Sequence, residues 1–363
     1  MNNNTRNLYI DVMKGLLITL VVIGHLPFFD YDSRTLTLIY SFHMHAFLII
    51  GGILSHVNRN TKLSTILIKR IKGTLIPYFV FYIISLIFIP SPTMDQKIKS
   101  IIVMFRGIGD PVNAINLPLW FLTFYFVAMT LYEIIRWLAY RIAFLGDNKN
   151  EGKEKPVLVS FITLIFIAII MYISFLYARY YKMPRIPFNV EIAGFCLGFI
   201  FLGNVLGQCV PLAYSEIKKN ALASALFIVL IIILLTIFLT SWYILSMRNG
   251  RIDLNARDYK NAFLMYVDAI LGFFIFAMLS FPISYIPLIK NILGVFGENS
   301  LYILAYHVPS VFVTNVFIVP HLPVVVATAL TQNSIFSILI LTSLGILFSL
   351  ILALIHKSIH FST

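Results

Sequence analysis

The sequence has 363 residues, of which 60% are hydrophobic and only 12% charged, with a mean hydropathy of +0.91. Soluble domains carry about 45–50% apolar and about 25% charged residues, so these proportions exclude a water-soluble enzyme, a disordered chain and a disulfide scaffold. The 27 basic residues against 15 acidic ones give a net charge of +12. With no basic-aromatic stripe outside the apolar segments, that excess fits basic loops facing anionic membrane lipids, and nucleic acid is not an expected partner.

A transmembrane helix needs roughly 20 mostly apolar residues. In chain order, the segments that meet this test are 10–29, 36–55, 73–90, 118–139, 157–177, 189–210, 221–246, 262–282, 297–319 and 335–356. The expected fold class is therefore all-α, a polytopic membrane protein of about ten transmembrane helices. The first segment contains Asp11 and Lys14 and is followed by no small-residue cleavage site, so it reads as a span and not as a cleavable signal. Segment 97–106 is too short and too charged to cross, and reads as an amphipathic helix along the interface. An even number of spans places both termini on one side. With Lys14 left out, the Lys and Arg divide 15 to 11 in favour of an N-in, C-in orientation. No loop reaches 30 residues, so one integral-membrane domain over 1–363, without a separate soluble domain, is expected. No internal repeat supports an inverted-repeat transporter. Cys196 and Cys209 have neither CxxC nor metal spacing.

Ionisable groups inside spans are costly and mark function. Asp11 and Lys14 are three apart, so they pair on one helix face. His25 follows Lys14 by eleven residues, about three turns, which returns it near that face. The stripe is either a structural ion pair with a satisfied histidine or part of a site. In span two, His43 and His45 lie about 200° apart on a helix, so one of them faces the interior and a helical metal pair is disfavoured. Lys69, Arg70 and Lys72 lead into span three as a cationic cluster, readable as inner-side topology or as a phosphate site. Glu133 and Arg136 read as an ordinary i, i+3 pair, and Trp120 as an interface anchor. Glu191 and Asp268 lie toward the ends of their spans, where solvation is expected ahead of contact with a substrate. His307 sits mid-span, as a hydrogen-bonding group or a site residue. Two outer loops are rich in polar and aromatic groups, Tyr177 to Arg185 and Arg248 to Asn261, and suit either solvent or a carbohydrate.

Several of these residues fall into a pattern. It opens with Arg6-x4-Asp11-x2-Lys14-Gly15, ending in Val21-Val22-x-Gly24-His25. Phe42-His43-Met44-His45-Ala46-Phe47 follows, with Gly51-Gly52, then Leu75-Ile76-Pro77-Tyr78 and Leu119-Trp120-Phe121-Leu122. Asn249-Gly250-x-x-Asp253 and Gly297-Glu298-Asn299-Ser300-Leu301-Tyr302 with His307 complete it. In this order, over essentially the whole chain, the sequence resembles the integral-membrane acyltransferase three family, within it the fucose 4-O-acetylase-like group. It departs from the family where an Arg-x-x-Arg pair normally precedes Leu-x-Pro. Here Lys69, Arg70 and Lys72 are shifted by a residue or more, and His45 replaces a common proline.

The resemblance implies transfer of an acyl group, usually acetyl, from cytosolic acyl-CoA to a hydroxyl of a cell-surface or lipid-linked glycan. His25 and Asp11 would be catalytic, with His25 a general base or a transiently acylated nucleophile. Lys14, Arg6, Arg70 and Lys72 would bind the acyl-CoA, acetyl-CoA being the expected donor, with no metal. His43, His307, Asn249 and Asp253 would meet the acceptor. The expected partners are that glycan or lipid-linked sugar and membrane lipids, with association as a homo-oligomer left open, in a bacterial cytoplasmic membrane. A competing reading is a transporter or flippase for a polysaccharide or its lipid-linked precursor, using the buried ionisable groups for proton coupling.

Overall fold

The computed structural model describes residues 7–26, 29–30, 32–89, 93–145, 155–179, 184–217, 221–314, 321 and 335–361. Among these the secondary structure is helical, with no strand and one isolated bridge between Asp253 and Asp258. The first half holds α1 (Leu8–Gly24), α2 (Arg34–Ile53), α3 (Leu63–Arg70), α4 (Ile76–Phe88), α5 (Met94–Arg106), α6 (Trp120–Ala143) and α7 (Pro156–Arg179). The second holds α8 (Val190–Phe195), α9 (Leu197–Ile217), α10 (Ala221–Asn249), α11 (Ala262–Ile283), α12 (Pro287–Glu298), α13 (Ser300–Val313) and α14 (Ile335–Phe361). Seven stretches among the described residues are long and apolar enough to cross a membrane, or eight if one bent pair counts as a span. Each of the ten expected segments overlaps a helix or, at 189–210, a pair of helices. Among the described residues, α1, with 17 residues, and α13, with 14, are shorter than a span requires.

The chain divides into two compact units. The first comprises Met1–Phe47, Ala221–Asp253 and Asp258–Thr363, and the second Leu48–Asn220 with Leu254–Arg257.

In the first unit, α1 starts at Asn7, whose side chain accepts hydrogen bonds from the amides of Tyr9 (3.1 Å) and Ile10 (3.4 Å), satisfying donors that a helix start leaves open. Val12, Met13, Leu17, Ile18, Val21 and Val22 are all buried, so α1 is covered on several faces and belongs in an interior. Its neighbour α12 lies backbone to backbone against it at two glycines. A Cβ on Gly15 would strike the Leu293 carbonyl, and one on Gly297 would strike the Asp11 carbonyl. Apolar lipid gives helices no hydrophobic reason to associate, so such close packing carries the contact. On α2, Phe42 stacks on Phe276 (4.7 Å) and meets Trp242 edge-on (5.4 Å), while Gly272 leaves the room it needs.

In the second unit, α3 and α4 form one 26-residue helix through a π-turn at Ile71–Leu75. Pro77 has no amide hydrogen to give the preceding turn, and the helix widens there, the Ile76 amide donating to the Ile71 carbonyl. The second half of α2 packs on α9 through Gly52 against the Ile200 carbonyl and Gly203 against the Ile49 carbonyl. Asn204 Nδ2 adds a hydrogen bond to the Ser55 carbonyl (3.2 Å).

The expected continuous span over 189–210 is broken. Its halves meet at 60°, at Cys196, where φ −91° and ψ 4° take the chain out of helical geometry. Helix α5 ends at Gly107 in the left-handed region (φ 61°). It exposes Ile98, Ile101, Ile102 and Phe105 while burying Ser100, Val103 and Met104, a one-sided apolar stripe of the kind that lies in a membrane interface. Trp120, expected as an exposed anchor, is buried against Phe124 (5.6 Å).

Candidate functional site

In the first unit, the end of α1 delivers His25 as the C-cap residue. Its Nδ1 lies 2.8 Å from the Val21 carbonyl. The ring of His307, on α13, meets that of His25 nearly edge to face, with centroids 4.9 Å apart at 72°. On α2, Tyr40 lies 6.5 Å from the His25 ring and 5.0 Å from that of His43, and the Tyr40 hydroxyl donates to the Gly24 carbonyl (3.4 Å). Tyr40 thus has His25 and His43 beside it, and His307 joins the group through His25.

All three share one bonding pattern. His43 Nδ1 lies 2.6 Å from the Ile39 carbonyl, and His307 Nδ1 lies 3.0 and 2.9 Å from the Ile303 and Leu304 carbonyls. A carbonyl can only accept, so each Nδ1 carries the hydrogen and each Nε2 of the neutral ring keeps its lone pair. Nε2 of His307 has no hydrogen-bond partner among the described residues. The cluster is therefore a set of oriented proton acceptors. Among the described residues no group of three or more His, Cys, Asp or Glu side chains is arranged to hold a metal.

Arg251 completes the cluster. Helix α10 stops at Asn249, and Gly250 follows with φ 78°, a left-handed turn that glycine adopts without strain. The turn folds Arg251 inward, where it is buried and its guanidinium carbon lies 4.2 Å over the Tyr40 ring.

Sequence patterning singles out Asn249 and Asp253 in this loop and reads Arg251 only as one of several loop cations, suited to solvent or to a carbohydrate. Asn249 is buried, and its Oδ1 accepts from the Asn261 amide (3.0 Å), tying the two ends of the loop together. Asp253 forms the backbone bridge with Asp258 (3.0 and 2.9 Å). The signal for Arg251 is the glycine before it, which reverses the chain direction at that point.

At the other end of α1, Asp11 and Lys14 form the expected pair, Nζ to Oδ1 at 3.6 Å. Close by, Gly297 abuts the Asp11 backbone, and Lys357 Nζ donates to Asn299 Oδ1 (2.8 Å) while lying 5.3 Å from the Tyr302 ring. Arg6 lies outside the described residues.

In the second unit, Arg70 is buried in an ion pair with Glu133. Its Nε lies 2.8 Å from one carboxylate oxygen, its Nη2 contacts the other, and Ser55 Oγ donates to the same carboxylate (2.9 Å). Glu133, expected to pair along its own helix with Arg136, thus pairs across to Arg70. Lys72 is exposed on the π-turn. Glu191 and Asp268, expected to be solvated, are both buried, Glu191 3.8 Å from Arg257. Both His43 and His45 are buried, where one interior face was expected, because α2 is enclosed on several sides at this level, as buried Phe42, Ala46 and Leu48 show.

No curated protein and no solved structure matches the chain. A family model described as an acyltransferase domain matches residues 7–354, a stretch that contains His25, His43, Arg251 and His307. With its array of apolar helices the protein is a multi-pass membrane acyltransferase, and the chain belongs to the acyltransferase three family.

Proposed function

We propose that the protein moves an acetyl group from cytosolic acyl-CoA to a hydroxyl of a cell-surface or lipid-linked glycan, with His25 as the general base. The observation that carries this reading is the Nδ1 contact of His25 with the Val21 carbonyl, which leaves Nε2 as a fixed proton acceptor beside Tyr40 and His307. Nε2 takes the proton of the acceptor hydroxyl as its oxygen attacks the acyl carbon. It then returns that proton to the departing thiolate. The imidazole ends the cycle neutral.

The cationic end of α1 suits a donor that carries phosphates. Lys14 and Lys357 supply ammonium groups there, and Asp11 holds Lys14 in place. With the N-terminus inside, this end faces the cytosol, as the distribution of Lys and Arg favours. Arg70 is already engaged by Glu133 and serves the fold of its own unit. His43 and His307 line the site where the acceptor hydroxyl must lie, and Asn249 and Asp253 belong to the loop that brings Arg251 there.

The test is acetyl transfer from radiolabelled acetyl-CoA in membranes containing the protein, with His25→Ala at matched expression. Label in glycan or lipid-linked sugar that depends on His25 is the expected result. Proton-dependent glycan movement without consumption of acetyl-CoA would instead select the transporter.

A further inference from the structure

Acyl transfer creates a negative charge that no imidazole of the cluster is set to hold. When the acceptor oxygen bonds to the acyl carbon, the π pair of the carbonyl moves onto its oxygen. The charge persists until the carbon–sulfur bond breaks. A fixed donor at that oxygen is worth more than any other single contact, because it is realised only as the charge forms. Each histidine of the cluster spends its Nδ1 hydrogen on the backbone, so each neutral ring has an acceptor to offer and no N–H. The cluster therefore needs a donor from elsewhere.

We propose that Arg251 is that donor: its guanidinium, stacked on Tyr40 beside His25 and His43, binds the oxyanion formed during acyl transfer. The inference rests on the reading of His25 as base. Two observations support it. The guanidinium is held against the Tyr40 ring at 4.2 Å, and the same ring lies 5.0 Å from His43 and 6.5 Å from His25. The guanidinium is fixed before the reaction, since Gly250 turns the chain, the Asn249 side chain binds the Asn261 amide, and the Asp253–Asp258 bridge closes the loop behind it. A guanidinium presents several N–H donors in a planar fork, the geometry that suits an oxyanion. The donor oxygen approaches the guanidinium edge while the hydroxyl approaches Nε2 of His25. The thiolate leaves with the proton from the His25 imidazolium, and Arg251 releases a neutral ester carbonyl.

The test uses the full chain in lipid nanodiscs. [Acetyl-14C]acetyl-CoA is the donor, and a glycan and lipid-linked sugar extract from the membranes used for expression is the acceptor. kcat and KM for acetyl-CoA are measured for the natural protein and for Arg251→Ala, Arg251→Lys and His25→Ala. The monodisperse elution peak and the unfolding temperature report folding. Arg251→Ala is expected to lose about 10²- to 10³-fold in kcat with KM for acetyl-CoA within about twofold. Arg251→Lys, which keeps the charge and loses the fork, is expected to fall between. Added guanidinium ion should restore part of the rate to Arg251→Ala and none to His25→Ala.

A folded Arg251→Ala that keeps full kcat while His25→Ala is inactive would overturn this assignment and leave the base intact. A loss confined to KM would overturn it as well and make Arg251 a binding residue. No transfer by the natural protein with either acceptor would remove the acyl-transfer reading and this inference with it. Should Arg251→Ala fail to fold, the kcat of Arg251→Lys decides the matter in the same two directions.

Discussion

The ring of His307 stands edge-on to the ring of His25, 4.9 Å between centroids, and each imidazole is pinned through Nδ1 to a carbonyl of its own helix. His307 walls the side of His25 and limits its rotation. His307→Phe keeps a ring of similar bulk and should leave the fold intact, but it replaces a polar neighbour at the base. We expect acetyl transfer to fall by about 10²-fold, the scale of a small misplacement in a reacting geometry. His25→Ala should lose more, up to about 10⁴-fold, the upper end of the range for a general base. Parallel rate measurements check the order: a His307→Phe variant as damaged as His25→Ala would make His307 the base.

A base must be neutral when the hydroxyl approaches. Histidine is the side chain whose charge ordinarily changes between about pH 5 and pH 8, so protonation of His25 at low pH removes the acceptor lone pair. Rate should be highest on the alkaline side and decline as pH falls, with a single titrating group on the acid limb. An acid limb that persists unchanged in the residual activity of His25→Ala would exclude His25 as its source.

The two glycine contacts between α1 and α12 set a stability prediction. Gly15→Ala drives a methyl group into the Leu293 carbonyl, a backbone atom that cannot step aside alone. Overpacking of this kind costs about 1–3 kcal/mol. Gly73, on the π-turn, has no heavy atom within 4 Å of the place a Cβ would take, and Gly73→Ala should be neutral or stabilising by under about 1 kcal/mol. Unfolding temperatures of the two variants in detergent separate these outcomes, and equal shifts would contradict the packing described.

Removing one member of a buried ion pair strands the other. Glu133→Ala leaves the Arg70 guanidinium buried without its carboxylate and should destabilise by about 3–5 kcal/mol. The double variant Arg70→Met, Glu133→Leu should recover much of that loss. Its folded fraction should retain acetyl-CoA binding, because Arg70 serves Glu133. Binding of [14C]acetyl-CoA to the double variant is the measurement. Its disappearance in a folded protein would return Arg70 to the donor site.

Sequence alone located every helix that carries the site, because a run of roughly 20 apolar residues has few alternatives. It also found His25, His43 and His307, because an imidazole among leucines and valines is conspicuous. Arg251 escaped, since an arginine in a polar loop looks like every other solvated cation until the turn at Gly250 directs it inward. Arg70 and Glu133 are 63 residues apart, so helical spacing favoured Arg136 as the partner and could not see the pairing across helices. The break at Cys196 was equally hidden. Nothing in an apolar run announces a 60° bend, and the left-handed residues Phe188 and Asn189 just before it are held by tertiary contacts such as the bond from Asn189 Nδ2 to the Gly107 carbonyl (2.9 Å).

Helix α1 carries the Asp11–Lys14 pair at one end and His25 at the other, fourteen residues or about 21 Å apart along its axis. In the mechanism proposed it acts as a ruler. The distance it measures runs from the charged head of the donor to the reacting carbon and is independent of the acyl chain beyond that carbon. Preference for one acyl length over another must then be encoded past His25, where the chain's tail would lie. Evolution can retune the acyl group there while leaving the ruler untouched. An inserted residue in mid-helix, by contrast, would turn His25 through about 100° and shift it by about 1.5 Å, and no change at either end could compensate for both.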